Sequence, residues 1–70
     1  MYCIKITEDK LVWWLESYTP LKGRMSYTKN QTSAMKFDNH ISASTLADKI
    51  RAARALAGLE PISIRVSSCN

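Results

Sequence analysis

The 70-residue sequence has two glycines, two prolines, two cysteines and one histidine, and each shortage excludes something. Glycine is too scarce for a phosphate loop, which needs it to bring backbone N–H groups onto an anion. Cys3, Cys69 and His40 have no CxxC or HxxxH spacing, so neither a tetrahedral metal site nor a cofactor is expected. No Ser or Cys nucleophile has a base at a recognisable spacing. The six carboxylates, Glu8, Asp9, Glu16, Asp38, Asp48 and Glu60, are scattered along the chain. A domain this small also rarely builds a pocket of substrate size, so catalysis is not expected. No apolar run approaches the roughly 20 residues of a membrane span, which predicts no membrane partner. The opening MYCIKITEDK carries acidic residues and lacks the apolar stretch of a secretory signal, so a cytoplasmic protein beginning at Met1 is expected. In that compartment both thiols default to the reduced state, although pairing of the first and last strands would make them neighbours.

What is present describes one small domain spanning 1–70. A chain of this length buries only roughly 60% of its unfolded surface, so a partner or a second copy would add useful stability. An apolar fraction of 46% and a charged fraction of 23% are ordinary for a folded protein and exclude disorder. Ten Lys and Arg against six Asp and Glu leave a net charge of +4, which favours an acidic partner.

Periodicity supplies the architecture. Residues 2–7, YCIKIT, alternate with Tyr2, Ile4 and Ile6 on one side; a polar turn at 8–10 leads into a second alternating strand, LVWWLE (11–16). Pro20 and Gly23 mark another reversal, and RMSYT (24–28) reads as a third strand with Met25 and Tyr27 inward. In 29–40, Asn30, Thr32 or Ser33 can cap one helical turn that carries Ala34, Met35 and Phe37 to the edge of the core. A long helix follows, N-capped at Ser42, with Ala43, Leu46, Ala47, Ile50, Ala53 and Ala57 as its apolar stripe. Gly58 supplies a left-handed stop, Leu59 the hydrophobic contact of a Schellman end, and Pro61 prevents continuation. ISIRV (62–66) closes the chain as a last strand. One helix covers one face of a sheet and nothing remains for the other. The expected fold is a two-layer α+β sandwich of ββ(β)αβ order, with a three- to four-stranded, mostly antiparallel sheet.

Alternation then sends Trp13 and Trp14 to opposite faces. Trp13 is expected in the core beneath the helix. Trp14 is expected on the open face beside Val12, among Lys5, Arg24 and Arg65, and these five residues form the candidate partner-binding site. Trp and Arg dominate contact hot spots because they bury much area at low entropic cost. The same face admits a second reading as a small nucleic-acid-binding or regulatory module, with a base stacked on the indole and cations on phosphates. A single aromatic is fewer than such surfaces usually carry. Pairing of open faces or edge strands into a homodimer is a third reading. Lys49, Arg51 and Arg54 form a secondary basic patch on the helix, read first as a solvated face with i,i+3 pairs. Helix-turn-helix recognition lacks its preceding helix.

A hairpin, a strand ending in YTKN, an AMKFD step (Ala34 to Asp38) and an alanine-rich helix before a last short strand resemble small α+β accessory proteins encoded by phages and prophages. Among these are anti-CRISPR and other host-takeover inhibitors. The resemblance implies an architecture and an origin. It also implies an anti-defence role, in which the chain inhibits a host protein of the bacterial cell by contact with an acidic surface. It carries over no individual functional residue.

Overall fold

The computed structural model describes residues 1–19 and 24–69. Four strands, β1 (Tyr2–Glu8), β2 (Leu11–Thr19), β3 (Arg24–Thr28) and β4 (Ser63–Ser68), form one sheet in the order β3-β2-β1-β4, with every pairing antiparallel. One helix, α1 (His40–Leu56), packs on it. The chain is thus an α+β domain with a single two-layer core, and among the described residues no helix is long and apolar enough to cross a membrane. The turn expected at Pro20 and Gly23 lies outside the described residues.

The hairpin joining β1 to β2 turns on Asp9 and Lys10, both at positive φ (50° and 68°). Two consecutive left-handed residues are the signature of a type I′ turn, whose twist matches that of the flanking strands. Neither is glycine or asparagine, so the tight turn is held by the strands on either side. Register follows directly: Lys5 faces Trp14, Ile6 faces Trp13 and Thr7 faces Val12. Residues directly opposite share a face, so one face collects Ile4, Ile6, Trp13, Leu15, Ile64 and Val66. The other collects Lys5, Thr7, Val12, Trp14, Ser63 and Arg65.

β2 extends past the expected LVWWLE. A bulge between Leu15 and Ser17 breaks the two-residue period at Glu16, and pairing resumes as Ser17 with Ser26 and Tyr18 with Met25. An extra residue in one strand inverts the parity after it, which is why Tyr18 joins Leu15 on the helix side of the core.

The connection from β3 to α1 does more than a surface loop would. Asn30 caps a 3₁₀ turn at Gln31–Ser33, its side chain accepting from the Thr32 N–H at 3.0 Å. The next residues wedge between β1 and β2. The Met35 N–H donates to Leu15 at 2.8 Å, and Phe37 exchanges two backbone bonds with Tyr2 at 2.8 and 2.9 Å. Period two therefore returns briefly, with Met35 and Phe37 packed on the helix-side core and Ala34 turned to the opposite face.

Helix α1 begins two residues before the expected cap at Ser42. Asn39 is the N-cap, and its side-chain oxygen accepts from the Ser42 N–H at 2.8 Å. At the far end Gly58 (φ 73°) donates to the Ala55 carbonyl at 3.1 Å and Leu59 to Arg54 at 3.0 Å, the paired bonds of a Schellman motif. The buried stripe is shorter than expected. Ala43, Ala47 and Ile50 are buried, whereas Ala53 and Ala57 are exposed. The cause is placement, because α1 packs on β1 and β4, at one side of the sheet.

Candidate partner-binding face

The face turned away from α1 is built across four strands in register. Thr28, Trp14, Lys5 and Arg65 are successive Cα partners and form one row across the sheet. Three strand spacings make that row about 14 Å long. Val12, 40% exposed, lies two residues from Trp14 on the same strand and face, beside Thr7. Of the five residues expected to bind a partner, Trp14, Lys5, Arg65 and Val12 are thereby brought together. Arg24 shares the face but pairs with Thr19 beyond the bulge, roughly 13 Å along β3 from the row at about 3.3 Å per residue.

The electrostatics of the row are one-sided. Lys5 and Arg65 stand directly opposite one another, where like charges destabilise a sheet. No salt bridge or side-chain hydrogen bond engages either of them among the described residues, in which the single ion pair is Arg51 with Asp48 at 2.6 Å. The one carboxylate of β2, Glu16, sits at the bulge and accepts from the Ser26 hydroxyl at 3.4 Å.

Trp14 does not stand free in solvent. Its ring is half-buried against a second small cluster formed by Cys3, Ala34 and Cys69, which are 0, 6 and 3% exposed. The expectation that nothing covers this face is corrected at that corner: the 3₁₀ turn and Ala34 roof the Cys3 end of the sheet. The sequence signal for this roof is Ala34, a small apolar residue directly after a capped turn, which joins Cys3 and Cys69 and not the helix-side core that Met35 and Phe37 join. Lys36 secures the roof by donating to the carbonyls of Gln31 (2.9 Å) and Ala34 (2.8 Å). The consequence for Trp14 is rigidity, since an indole already packed along one side has little entropy left to lose on contact.

Cys3 and Cys69 are neighbours because β1 and β4 pair, and both are free thiols. Burial pushes the Cys3 thiol up, and the hydrogen bond to Cys69 adds to the effect. A thiol held protonated in this way, as Cys3 is, is a poor nucleophile. No three His, Cys, Asp or Glu side chains come together among the described residues. His40 is the first residue of α1, edge-on to the Tyr2 ring at 5.5 Å between centroids, with Nδ1 3.3 Å from the Ser44 hydroxyl.

The basic patch of the helix separates into different roles. Arg51 pairs with Asp48 and also donates to the Ile64 carbonyl of β4, while Arg54 donates to the Glu60 carbonyl at 3.0 Å. Both arginines therefore tie the β4 approach to α1, and Lys49 alone remains exposed without such a bond. Trp13 is also not where full burial beneath the helix would put it. It packs on the core but stays half-buried, with the Lys29 ammonium 4.8 Å from its ring centroid. The chain matches no protein-family model, no curated protein and no solved structure.

Proposed function

We propose that this chain is a non-catalytic binding protein that seats an acidic surface of a partner protein on the open face of its sheet. Trp14 forms the centre of the contact, Val12 extends its apolar area, and Lys5 and Arg65 supply the charge. The observation that carries the reading is the directly opposed Lys5–Arg65 pair beside a half-buried indole packed on Cys3, Ala34 and Cys69. A cross-strand pair of like charges is destabilising, and a partner's carboxylates would turn that cost into attraction. Such a chain acts by occlusion, covering a working surface of a larger protein. From the resemblance of the sequence pattern to phage and prophage accessory proteins alone, the protein inhibited is proposed to be a host protein such as a defence factor.

The test is capture of a partner from bacterial lysate by the immobilised chain, compared with Trp14→Ala and with Lys5→Glu/Arg65→Glu. Both variants should keep the far-ultraviolet circular dichroism of the parent and lose the captured protein. Equal capture by all three would overturn the assignment. Tight uptake of a single-stranded oligonucleotide at about 50 mM salt, falling steeply as salt rises, would instead place nucleic acid on this face.

A further inference from the structure

The opposite side of the molecule carries a second, unrelated surface. Because α1 lies over β1 and β4, the helix-side face of β2 and β3 near the hairpin is left without a roof. There a cleft of about 340 Å³ opens, walled by Ile6, Leu11, Trp13, Tyr27, Ile62 and Arg54, with Glu8 and Asp9 on its rim. Leu11 is 52% and Tyr27 41% exposed. The apolar strip continues past Ile62 and Arg54 into a smaller cleft lined by Leu59 and Pro61. We infer that this cleft is where a second copy of the chain docks, in a two-fold symmetric pair.

Three observations favour a second copy over other occupants. The cleft carries both signs of charge, acidic at its hairpin rim (Glu8, Asp9) and basic in its wall at the end of the helix, where half-buried Arg54 also holds the Glu60 carbonyl, with Lys29 beside Trp13. A two-fold axis lying in the contact plane and crossing the line from the hairpin to Arg54 places each end of that line against the opposite end of its mate, so the hairpin carboxylates of one copy meet Arg54 of the other, twice. An unrelated partner has no reason to match both signs. The exposed area is also large: 4980 Å² for 7.9 kDa, where a compact monomer of that mass exposes roughly 4,400 Å². The excess, roughly 500–600 Å², belongs to the whole molecule, the open face of the sheet included, and leaves surface that a second copy can cover in part. Finally, the strip's centre is aromatic and aliphatic and its charges lie at the rim, the anatomy of an interface rather than of a solvated face.

Sedimentation equilibrium tests the pairing. The wild-type mass should rise with concentration from 7.9 kDa toward twice that value below about 0.5 mM. Leu11→Arg/Leu59→Arg changes two exposed positions, should fold normally, and should remain at the monomer mass. Glu8→Lys/Asp9→Lys and Arg54→Glu should each weaken association about tenfold or more, and an equimolar mixture of the two should recover it, because only the mixed pair restores both charge contacts. A wild type that stays monomeric to about 0.5 mM, a Leu11→Arg/Leu59→Arg variant as dimeric as the parent, or a mixture no tighter than its components would each overturn the pairing. A monomer that takes up anilinonaphthalene sulfonate in this cleft would assign the surface to a small apolar ligand instead, and would overturn it equally.

Discussion

The two halves of the sheet obey one alternation and reach different depths. On β1 and β4, under α1, Ile4, Ile6 and Ile64 are 0–3% exposed. On β2 and β3, the side chains pointing the same way include Leu11 and Tyr27, which are exposed, and Trp13, which is half-buried. Leu15 is the exception that explains the rule. It lies on β2 yet is fully buried, in one cluster with Ala47 and Ile50 of α1, and Met35 and Phe37 close that cluster from the connector. Period two assigns a side chain to a face, and only a roof takes it out of water.

The sharpest way to break this comparison is truncation of one residue from each half. Ile4→Ala should cost about 2–5 kcal/mol, through lost burial plus the cavity left behind, and in so small a domain that approaches total loss of the fold. Leu11→Ala should cost less than about 1 kcal/mol in dilute solution, since half of the side chain is already wet. Urea unfolding followed by tryptophan fluorescence compares the two, and equal costs would refute the division. The minor roof on the other face comes next. Cys3→Ser buries a hydroxyl where a weakly polar thiol sat, within reach of the Gln31 amide at 3.7 Å, and should cost about 1–2 kcal/mol. The native Cys3 thiol keeps its proton to higher pH than an ordinary thiol. Its contribution is therefore complete below the ordinary thiol range and is lost as pH rises through the elevated native value, and Cys3→Ala should flatten that alkaline decline. Asn39→Ala removes the cap of α1 and should cost about 1 kcal/mol. The smallest effect is a gain: Lys10→Gly relieves a left-handed residue in the hairpin and should stabilise by about 0.5–1 kcal/mol. No gain there would argue against the type I′ turn.

Most of the fold was legible in the sequence because it rests on period. The four strands, the helix and the inward or outward assignment of Trp13 and Trp14 follow from spacing alone. So does the Gly58 stop, where glycine takes up a left-handed backbone without steric cost. What spacing does not carry is the lateral position of a helix on a sheet, which depends on the connector. Nothing in the stripe Ala43 to Ala57 says that Ala53 and Ala57 run past the covered strands. The Glu16 bulge and the wedge of Met35–Phe37 are likewise tertiary events, legible only once Tyr2 and Leu15 are seen to bond that segment. The binding face was legible in its members but not in its geometry: Arg24 separates from the row through the bulge, and Trp14 gains a support at Ala34 that composition does not advertise.

The proposed function has Lys5 and Arg65 held opposite one another at a cost to the fold. Urea midpoints of Arg65→Thr and of the parent, each taken at low and at high salt, measure it directly. Arg65→Thr should unfold at higher urea in low salt, and the gap should narrow as salt screens the parent. A lower midpoint for Arg65→Thr at both salt concentrations would contradict it, making the pair an ordinary part of the scaffold.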